Sequence, residues 1–268
     1  MRREKDEGLR PLTPLRAEPL EPCTFSGLSG RPGACFGGGR GGEAPRLRGV
    51  RVVGDVHGDA RAFAIAAETD LFVVQLGDLT DYGPDSAGAV RIALRLLDER
   101  RGLFLLGNHD LKLARVLAGR DVRVGSELAE TLRQLDPGLR ERVAVAIALA
   151  PGWLRWDSVL FVHGGFHTAM LESEPSPAPE GPVRGPLARA LYGEPTGRIQ
   201  PDGYPERSIR WVDRIPAGLT VYCGHDQRSR DGRPYVRTGA AGGKAVFLDT
   251  GAGKGGHLSW IDLPARSV

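Results

Sequence analysis

Short apolar runs, each closed by a glycine-flanked polar turn, set the rhythm of this chain. Val50-Arg51-Val52-Val53 reads as a buried parallel strand and ends in Gly54-Asp55-Val56-His57-Gly58. Leu71 to Leu76 is a second run, followed by Gly77-Asp78-Leu79-Thr80-Asp81. Leu103 to Leu106 is a third, followed by Gly107-Asn108-His109-Asp110. Helical spacing fills the gaps. Residues 59–68 are apolar at Phe63, Ala66 and Ala67, with Asp59 as the expected cap. Residues 86–101 repeat at Val90, Ala93, Leu94 and Leu97, and Leu111 to Leu117 opens a further helix. Strand, helix, strand, helix, strand predicts βαβ units and a parallel sheet. The polar turns then fall at the carboxyl ends of strands, where open α/β sheets place ligands.

The second half is richer in strands. Residues 126–149 read as helical, with a break at Asp136-Pro137-Gly138. Val159 to Val162 delivers His163-Gly164-Gly165, and Leu219 to Cys223 delivers Gly224-His225-Asp226. Ala245 to Leu248 and Leu258 to Leu263 are strands joined through the Gly-rich turn Gly251 to Gly256. Five prolines within residues 173–186 predict an exposed loop. Leu187 to Trp211 reads as part of an insertion over the site, at about 173–218. This half predicts a second sheet packed on the first.

Residues 1–49 show no sustained period. They carry Pro11, Pro14, Pro19 and Pro22 and the run Gly37 to Gly42, which predicts a disordered Gly/Pro/Arg-rich tail before a folded unit at 50–268. The glycine run lacks a Gly-Lys-Ser/Thr ending and a preceding strand, so it is not read as a phosphate loop. The tail holds nine Lys/Arg against six Asp/Glu, which accounts for the whole net charge of +3. The remainder is neutral and argues against a broad nucleic-acid-binding surface. A content of 41% hydrophobic residues supplies a sizeable core. No run of about 18 apolar residues predicts a membrane span. Three cysteines do not make a disulfide framework at this length, which points to a reducing cytoplasm.

The chemistry rests on the histidines. Of the six, His57, His109, His163 and His225 follow strands in glycine-flanked turns, alongside Asp55, Asp78, Asp81 and Asn108. Two residues apart at an extended chain end, Asp55 and His57 are expected to point the same way. Carboxylate oxygen beside imidazole nitrogen suits a divalent transition ion. Asp55, His57, Asp78, Asn108, His163 and His225 exceed the ligand capacity of one ion once Asp78 bridges. Two ions follow, Mn first with Fe, Zn or Ni as alternatives. Asp55 and His57 complete the first; Asn108, His163 and His225 complete the second. Such a pair clamps a phosphoryl group and lowers the pKa of a bridging water from about 15.7 toward about 7. The hydroxide then attacks phosphorus in line. His109 remains as general acid for the leaving oxygen, with Asp81 to orient it; the plainer role for Asp81 is a turn cap.

These blocks resemble the calcineurin-like metallophosphoesterase superfamily, from about residue 50 to 263. Within it the chain is similar to the branch of Ser/Thr protein phosphatases, diadenosine tetraphosphatases and the phosphatase module of bacterial polynucleotide kinase-phosphatase. The last is the nearest resemblance, through Asn108-His109-Asp110-Leu111-Lys112-Leu113, Leu191 to Gly197, Asp202 to Arg207 with Trp211, and Asp249-Thr250-Gly251 followed by Gly255-Gly256-His257-Leu258. The resemblance implies a β-sandwich flanked by helices, which shifts the parallel-sheet reading toward two mixed sheets. It also implies the dinuclear roles just given.

One departure stands out. Where this branch has Asp-Arg-Gly, the chain has Asp81-Tyr82-Gly83. An arginine there would grip a terminal phosphate with two donors, whereas tyrosine offers one neutral hydroxyl. Diester or cyclic-phosphate hydrolysis gains over monoester hydrolysis. Tyr82, Arg198, Arg207 and Arg210 are the candidate substrate contacts. The expected partner is a phosphorylated nucleotide, nucleic-acid end or phosphoprotein, with no membrane and no obligate protein partner. The alternatives are a Ser/Thr protein phosphatase and a non-catalytic metal-binding module.

Overall fold

The computed structural model of the chain describes residues 48–265 apart from 176–178, 180 and 202. The expected disordered tail therefore lies outside the described residues up to residue 47. The elements run β1 (Gly49–Val53), α1 (Ala60–Ala67), β2 (Phe72–Gln75), α2 (Ser86–Asp98), β3 (Gly102–Phe104), α3 (Asn108–Leu117), α4 (Ser126–Gln134) and α5 (Pro137–Leu149). They continue with β4 (Trp153–Trp156), β5 (Val159–Val162), α6 (Gly185–Tyr192), β6 (Glu194–Ile199), β7 (Pro205–Ser208) and β8 (Thr220–Cys223). The last are β9 (Tyr235–Thr238), β10 (Lys244–Phe247), β11 (Asp249–Thr250), β12 (His257–Leu258) and β13 (Trp260–Pro264).

Local chemistry starts the helices where the pattern placed them. The Asp59 carboxylate accepts from the Ala62 amide at 3.0 Å to cap α1. Asp85 caps α2 through the Gly88 amide at 2.7 Å. The break at Asp136-Pro137-Gly138 is itself a helix start. Asp136 accepts from the Leu139 amide at 2.9 Å, and Pro137 occupies the first turn, where a missing N–H costs nothing.

Two mixed sheets form the centre, with strand orders β13-β1-β2-β3 and β4-β5-β8-β10-β9. The expected parallel sheet survives as the parallel core β1-β2-β3 and recurs as β5-β8-β10. Antiparallel strands close three edges: β13 on β1, β4 on β5 and β9 on β10. The whole is thus the mixed sandwich that the family resemblance implied, not the purely parallel sheet of the pattern alone. Period-2 alternation decides which face each side chain takes. Val50, Val52, Phe72, Val74 and Leu103 meet Leu154, Phe161, Tyr222 and Val246 between the sheets. Val53, Val73 and Phe104 turn outward onto the helices, with Phe63, Val90 and Leu94. Arg51 also points outward, donating to the Ala66 carbonyl at 3.1 Å and gripping Asp262 of β13 with two bonds at 2.6 and 2.7 Å. The carboxyl ends of β1, β2, β3, β5 and β8 meet on one side of the sandwich, as the contacts of His163 with Leu76 and Asn108 and of the His225 amide with Asp55 show.

Candidate metal centre and phosphate site

Loops at those carboxyl ends are sewn together by backbone bonds. The Val56 and His57 amides donate to the Asp78 carbonyl at 3.1 and 2.9 Å, and the Gly58 amide to the Leu79 carbonyl at 2.9 Å. Gln75, buried at the end of β2, donates to the carbonyls of Gly54 and Gly77 and accepts from the Gly77 amide. The buried Asp110 carboxylate accepts from the amides of Asp78, Leu79 and Gly107 at 2.8, 3.0 and 3.0 Å. Among the described residues, five of the seven non-glycine residues with positive φ lie here: His57, Asp78, Asp81, Tyr82 and His225. Such backbone costs about 1–3 kcal/mol per residue and persists only where surroundings over-determine it.

The side chains converge on two adjoining points. His163 Nδ1 lies 2.9 Å from the Leu76 carbonyl and His57 Nδ1 lies 3.0 Å from the Thr80 carbonyl. Each ring must donate from Nδ1, so each Nε2 presents a lone pair to the cavity. His163 Nε2 faces Asn108 Oδ1 at 3.1 Å, His225 Nδ1 at 3.2 Å and Asp78 Oδ2 at 3.4 Å. His57 Nε2 lies 3.7 Å from Asp78 Oδ2 and 3.9 Å from Asp55 Oδ2. Among the described residues, the buried Nε2 atoms of His57 and His225 have no hydrogen-bond partner. Acceptor facing acceptor at these separations, inside a buried pocket, fits divalent cations and little else. Two donor groups result: His57, Asp78 and His109; and Asp78, His163 and His225, sharing Asp78.

Two sequence expectations change at this point. Asp55 and His57 do approach each other, but through a turn with His57 at φ 45°, not along an extended end. Asp55 also spends both oxygens on the His225 amide, at 3.1 and 3.0 Å, so it orients the fifth loop as well as facing His57.

Charge follows from burial and neighbours. Burial opposes a charge on His163, yet Asp78 and Asp55 outweigh it and hold its pKa near about 9. His225, beside it, is driven well down by burial and by the His163 charge. Burial drops His57 to about 3. Burial works against the Asp78 carboxylate, but His163 and His109 overcome it and keep it ionised. Burial and Asp249 push Asp55 up. The carboxylates of Asp78 and Asp55 thus favour positive charge where the donor atoms converge, and a bound cation would take the place of the His163 proton and leave its Nε2 lone pair to ligate.

His109 stands beside this group at the start of α3. Its amide donates to Asp78 Oδ1 at 2.9 Å, and its Nδ1 lies 2.6 Å from Asp81 Oδ2. Burial lowers its proton affinity, but Asp78 and the bond to Asp81 reverse this and raise the pKa above the usual imidazole value. The other Asp81 oxygen accepts from the Thr131 hydroxyl of α4 at 2.7 Å. Thr131 is a positioning residue that no sequence motif announced.

A cavity of about 660 Å³ opens over these groups. Its wall includes Asp78, Tyr82, Asn108, His109, Arg207 and His225, so it brings Tyr82 and Arg207 to the site. It does not bring Arg198 or Arg210, which are exposed on β6 and at the start of a 3-10 turn. The hairpin β6–β7 adds Tyr204, whose hydroxyl lies 3.4 Å from that of Tyr82. Arg228, Lys254 and Asp249 also line the wall; the first two escaped the sequence reading, and Asp249 entered it without a site role. A lone lysine between glycines, in a turn after a strand end on this same edge, was the available signal.

A sandwich that gathers carboxylate, imidazole and amide donors around one shared aspartate, beneath an open cavity with Arg207, Arg228 and Lys254 in its wall, defines a metal-dependent phosphoester hydrolase. Residues 50–229 match the family model for calcineurin-like phosphoesterases, and the chain belongs to that family. It is 27% identical over 242 residues to the asymmetrical bis(5'-nucleosyl)-tetraphosphatase PrpE of Geobacillus thermodenitrificans (strain NG80-2), covering 82% of this chain and 92% of that protein. It is 28% identical over 220 residues to the symmetrical bis(5'-nucleosyl)-tetraphosphatase of Burkholderia pseudomallei (strain 668), covering 76% and 68%. Among solved structures, a Saccharomyces cerevisiae protein serine/threonine phosphatase with similarity to human phosphatase PP5 superposes with a TM-score of 0.53 at 15% identity, covering 82% of this chain and 80% of that one. That likeness is one of fold.

Proposed function

We propose that this hydrolase acts on nucleotide or nucleic-acid-end phosphates, with Asp55, His57, Asp78, Asn108, His163 and His225 holding two divalent ions. The observation that carries the reading is the His109–Asp81 contact at 2.6 Å, set directly beside donor groups that share Asp78. The ions supply Lewis acidity at the phosphoryl oxygens and acidify water. The protein's own residues do the rest. His109 holds a proton toward the leaving oxygen, Asp81 keeps the ring in place, and Asn108 and His163 fix the phosphoryl group's side of the cavity. Arg207 and Tyr82 border the path of the substrate. Two tetraphosphatase relatives, over most of the chain, support a nucleotide substrate.

Manganese is the ion we expect, since mixed oxygen and imidazole donors with an amide oxygen suit it. A cytoplasmic setting agrees with the one cysteine among the described residues, Cys223, being free and buried. No helix among the described residues is long and apolar enough to cross a membrane.

The test is hydrolysis of p-nitrophenyl phosphate, bis-p-nitrophenyl phosphate, 2′,3′-cyclic AMP and diadenosine tetraphosphate, beside a phosphoserine peptide, with Mn restored after chelation. Metal-dependent turnover of the nucleotide and diester substrates is the expected result. Turnover confined to the phosphopeptide would move the protein to the phosphatases of proteins. Two bound metals with no turnover on any substrate would make it a binding module.

A further inference from the structure

The cavity contains a cation that neither the motifs nor the metal groups account for. Lys254 sits on the turn between β11 and β12, and its Nζ lies 4.6 Å from the centroid of the Tyr82 ring. Among the described residues it forms no ion pair, while Arg228, on the same wall, is already paired with Asp226. The Tyr82 ring lies edge-on to His57, with centroids 5.0 Å apart, and 5.4 Å from His109. Lys254 therefore shares the Tyr82 ring, as a neighbour, with one metal group and the acid.

The turn is built to keep it there. Gly253 has φ 70°, and a Cβ on it would fall 2.1 Å from the His57 carbonyl oxygen and 3.1 Å from the Gly83 amide. The turn thus lies directly on the first and second loops, with nothing between.

We propose that Lys254 is the phosphate-recognising cation of this site, positioned by the face of Tyr82. The inference rests on the phosphoesterase reading above and deepens it. A guanidinium fork needs two free oxygens on one phosphorus. An ammonium is a point charge that needs one. A phosphorus inside a diester or polyphosphate chain has two free oxygens and a terminal monoester three, so a point charge that takes one leaves the diester a further oxygen for the ions, and the device admits a diester that a two-pronged fork would crowd. The aromatic face holds the ammonium near the mouth without neutralising it, as a carboxylate would.

The experiment uses the Mn-loaded full chain and its variants Lys254→Met, Lys254→Arg, Tyr82→Phe and Tyr82→Leu. Inorganic phosphate binding is measured by calorimetry, and KM and kcat with bis-p-nitrophenyl phosphate and p-nitrophenyl phosphate. Metal content and melting temperature are recorded for each. For Lys254→Met we expect phosphate Kd and diester KM to rise about tenfold or more, the scale of one lost charged hydrogen bond, with metal content unchanged. Lys254→Arg is expected to recover phosphate binding and shift kcat/KM toward the monoester. Tyr82→Leu is expected to weaken phosphate binding as Lys254→Met does, and Tyr82→Phe to recover it, because the ring face and not the hydroxyl holds the lysine. Unchanged phosphate Kd in Lys254→Met overturns the proposal. So does Tyr82→Phe behaving like Tyr82→Leu. A wild-type protein without turnover on any phosphate ester would instead defeat the catalytic reading, and the calorimetry would still decide Lys254.

Discussion

Two glycines of one turn offer a controlled test of how tightly that turn is pressed onto the metal loops. Gly253 and Gly255 both have positive φ, 70° and 84°. Alanine at either pays for the left-handed conformation, about 1–2 kcal/mol. Their surroundings differ. A Cβ at Gly255 meets nothing within 4 Å, whereas one at Gly253 lies 2.1 Å from the His57 carbonyl oxygen and 2.9 Å from His57 Cβ. Carbon–oxygen contact needs a separation more than an ångström greater, so the turn or the His57 loop must move. The His57 amide and carbonyl are both engaged, to the Asp78 carbonyl at 2.9 Å and from the Gly83 amide at 2.8 Å. Losing one such buried bond adds about 1–3 kcal/mol. For a domain of this size each kcal/mol shifts Tm by roughly 2–4 °C. Gly255→Ala should therefore lower Tm by roughly 2–8 °C and leave metal affinity intact. Gly253→Ala should lower Tm by roughly 4–20 °C, and weaken metal binding because His57 is displaced. Differential scanning fluorimetry of the chelated proteins, followed by Mn titration, measures both. Equal Tm losses with equal metal affinity would refute the argument that this turn braces His57.

Other outcomes follow from the same geometry. His109→Gln should cut turnover by about 10²–10⁴ with the metal count unchanged by mass spectrometry; a lost ion would mean that His109, close to His57 and Asp78 in one donor group, is a ligand. Thr131→Val removes the hydroxyl that holds Asp81 Oδ1 at 2.7 Å, so kcat should fall several-fold with KM steady, and Thr131→Ser should restore it. Chelation should abolish hydrolysis and lower Tm, and Mn should restore both. The bond from Arg51 holds the Asp262 carboxyl below its usual range. This contribution is present above the unfolded pKa of about 3.9 and is lost as pH falls through the lower folded value. Solvent screening keeps it under about 1 kcal/mol, so Asp262→Asn should flatten the acid limb of a Tm-versus-pH curve slightly. A steeper limb would contradict it.

The strands that lead into the proposed ligands were readable because the parallel core is buried on both faces and writes itself as unbroken apolar runs, as in Phe72–Gln75 and Val159–Val162. Edge strands do not. Tyr235–Thr238 is largely exposed, and Glu194–Ile199 reads as a loop until Pro205–Ser208 pairs with it. His109 and Asp81 were readable through the spacing of their motifs. Asp110, Thr131 and Lys254 were not, because each acts through a partner far away in the chain. A carboxylate that accepts three amides from two loops has no local signature. Arg198 and Arg210 drew notice by type alone, and the fold leaves both on the outside.

The pairing of β1 with β13 has a consequence for how the site comes into being. Arg51 and Asp262, 211 positions apart, are direct partners, and the Gly54 amide at the head of the first ligand loop donates to the Ser259 carbonyl at 3.0 Å. Closing so long a span is entropically slow. The loop bearing Asp55 and His57 is pinned on that side by a segment made long after it on the ribosome. Metal capture therefore belongs to the final stage of folding, and a chain truncated before β13 would be expected to carry the second donor group in better order than the first.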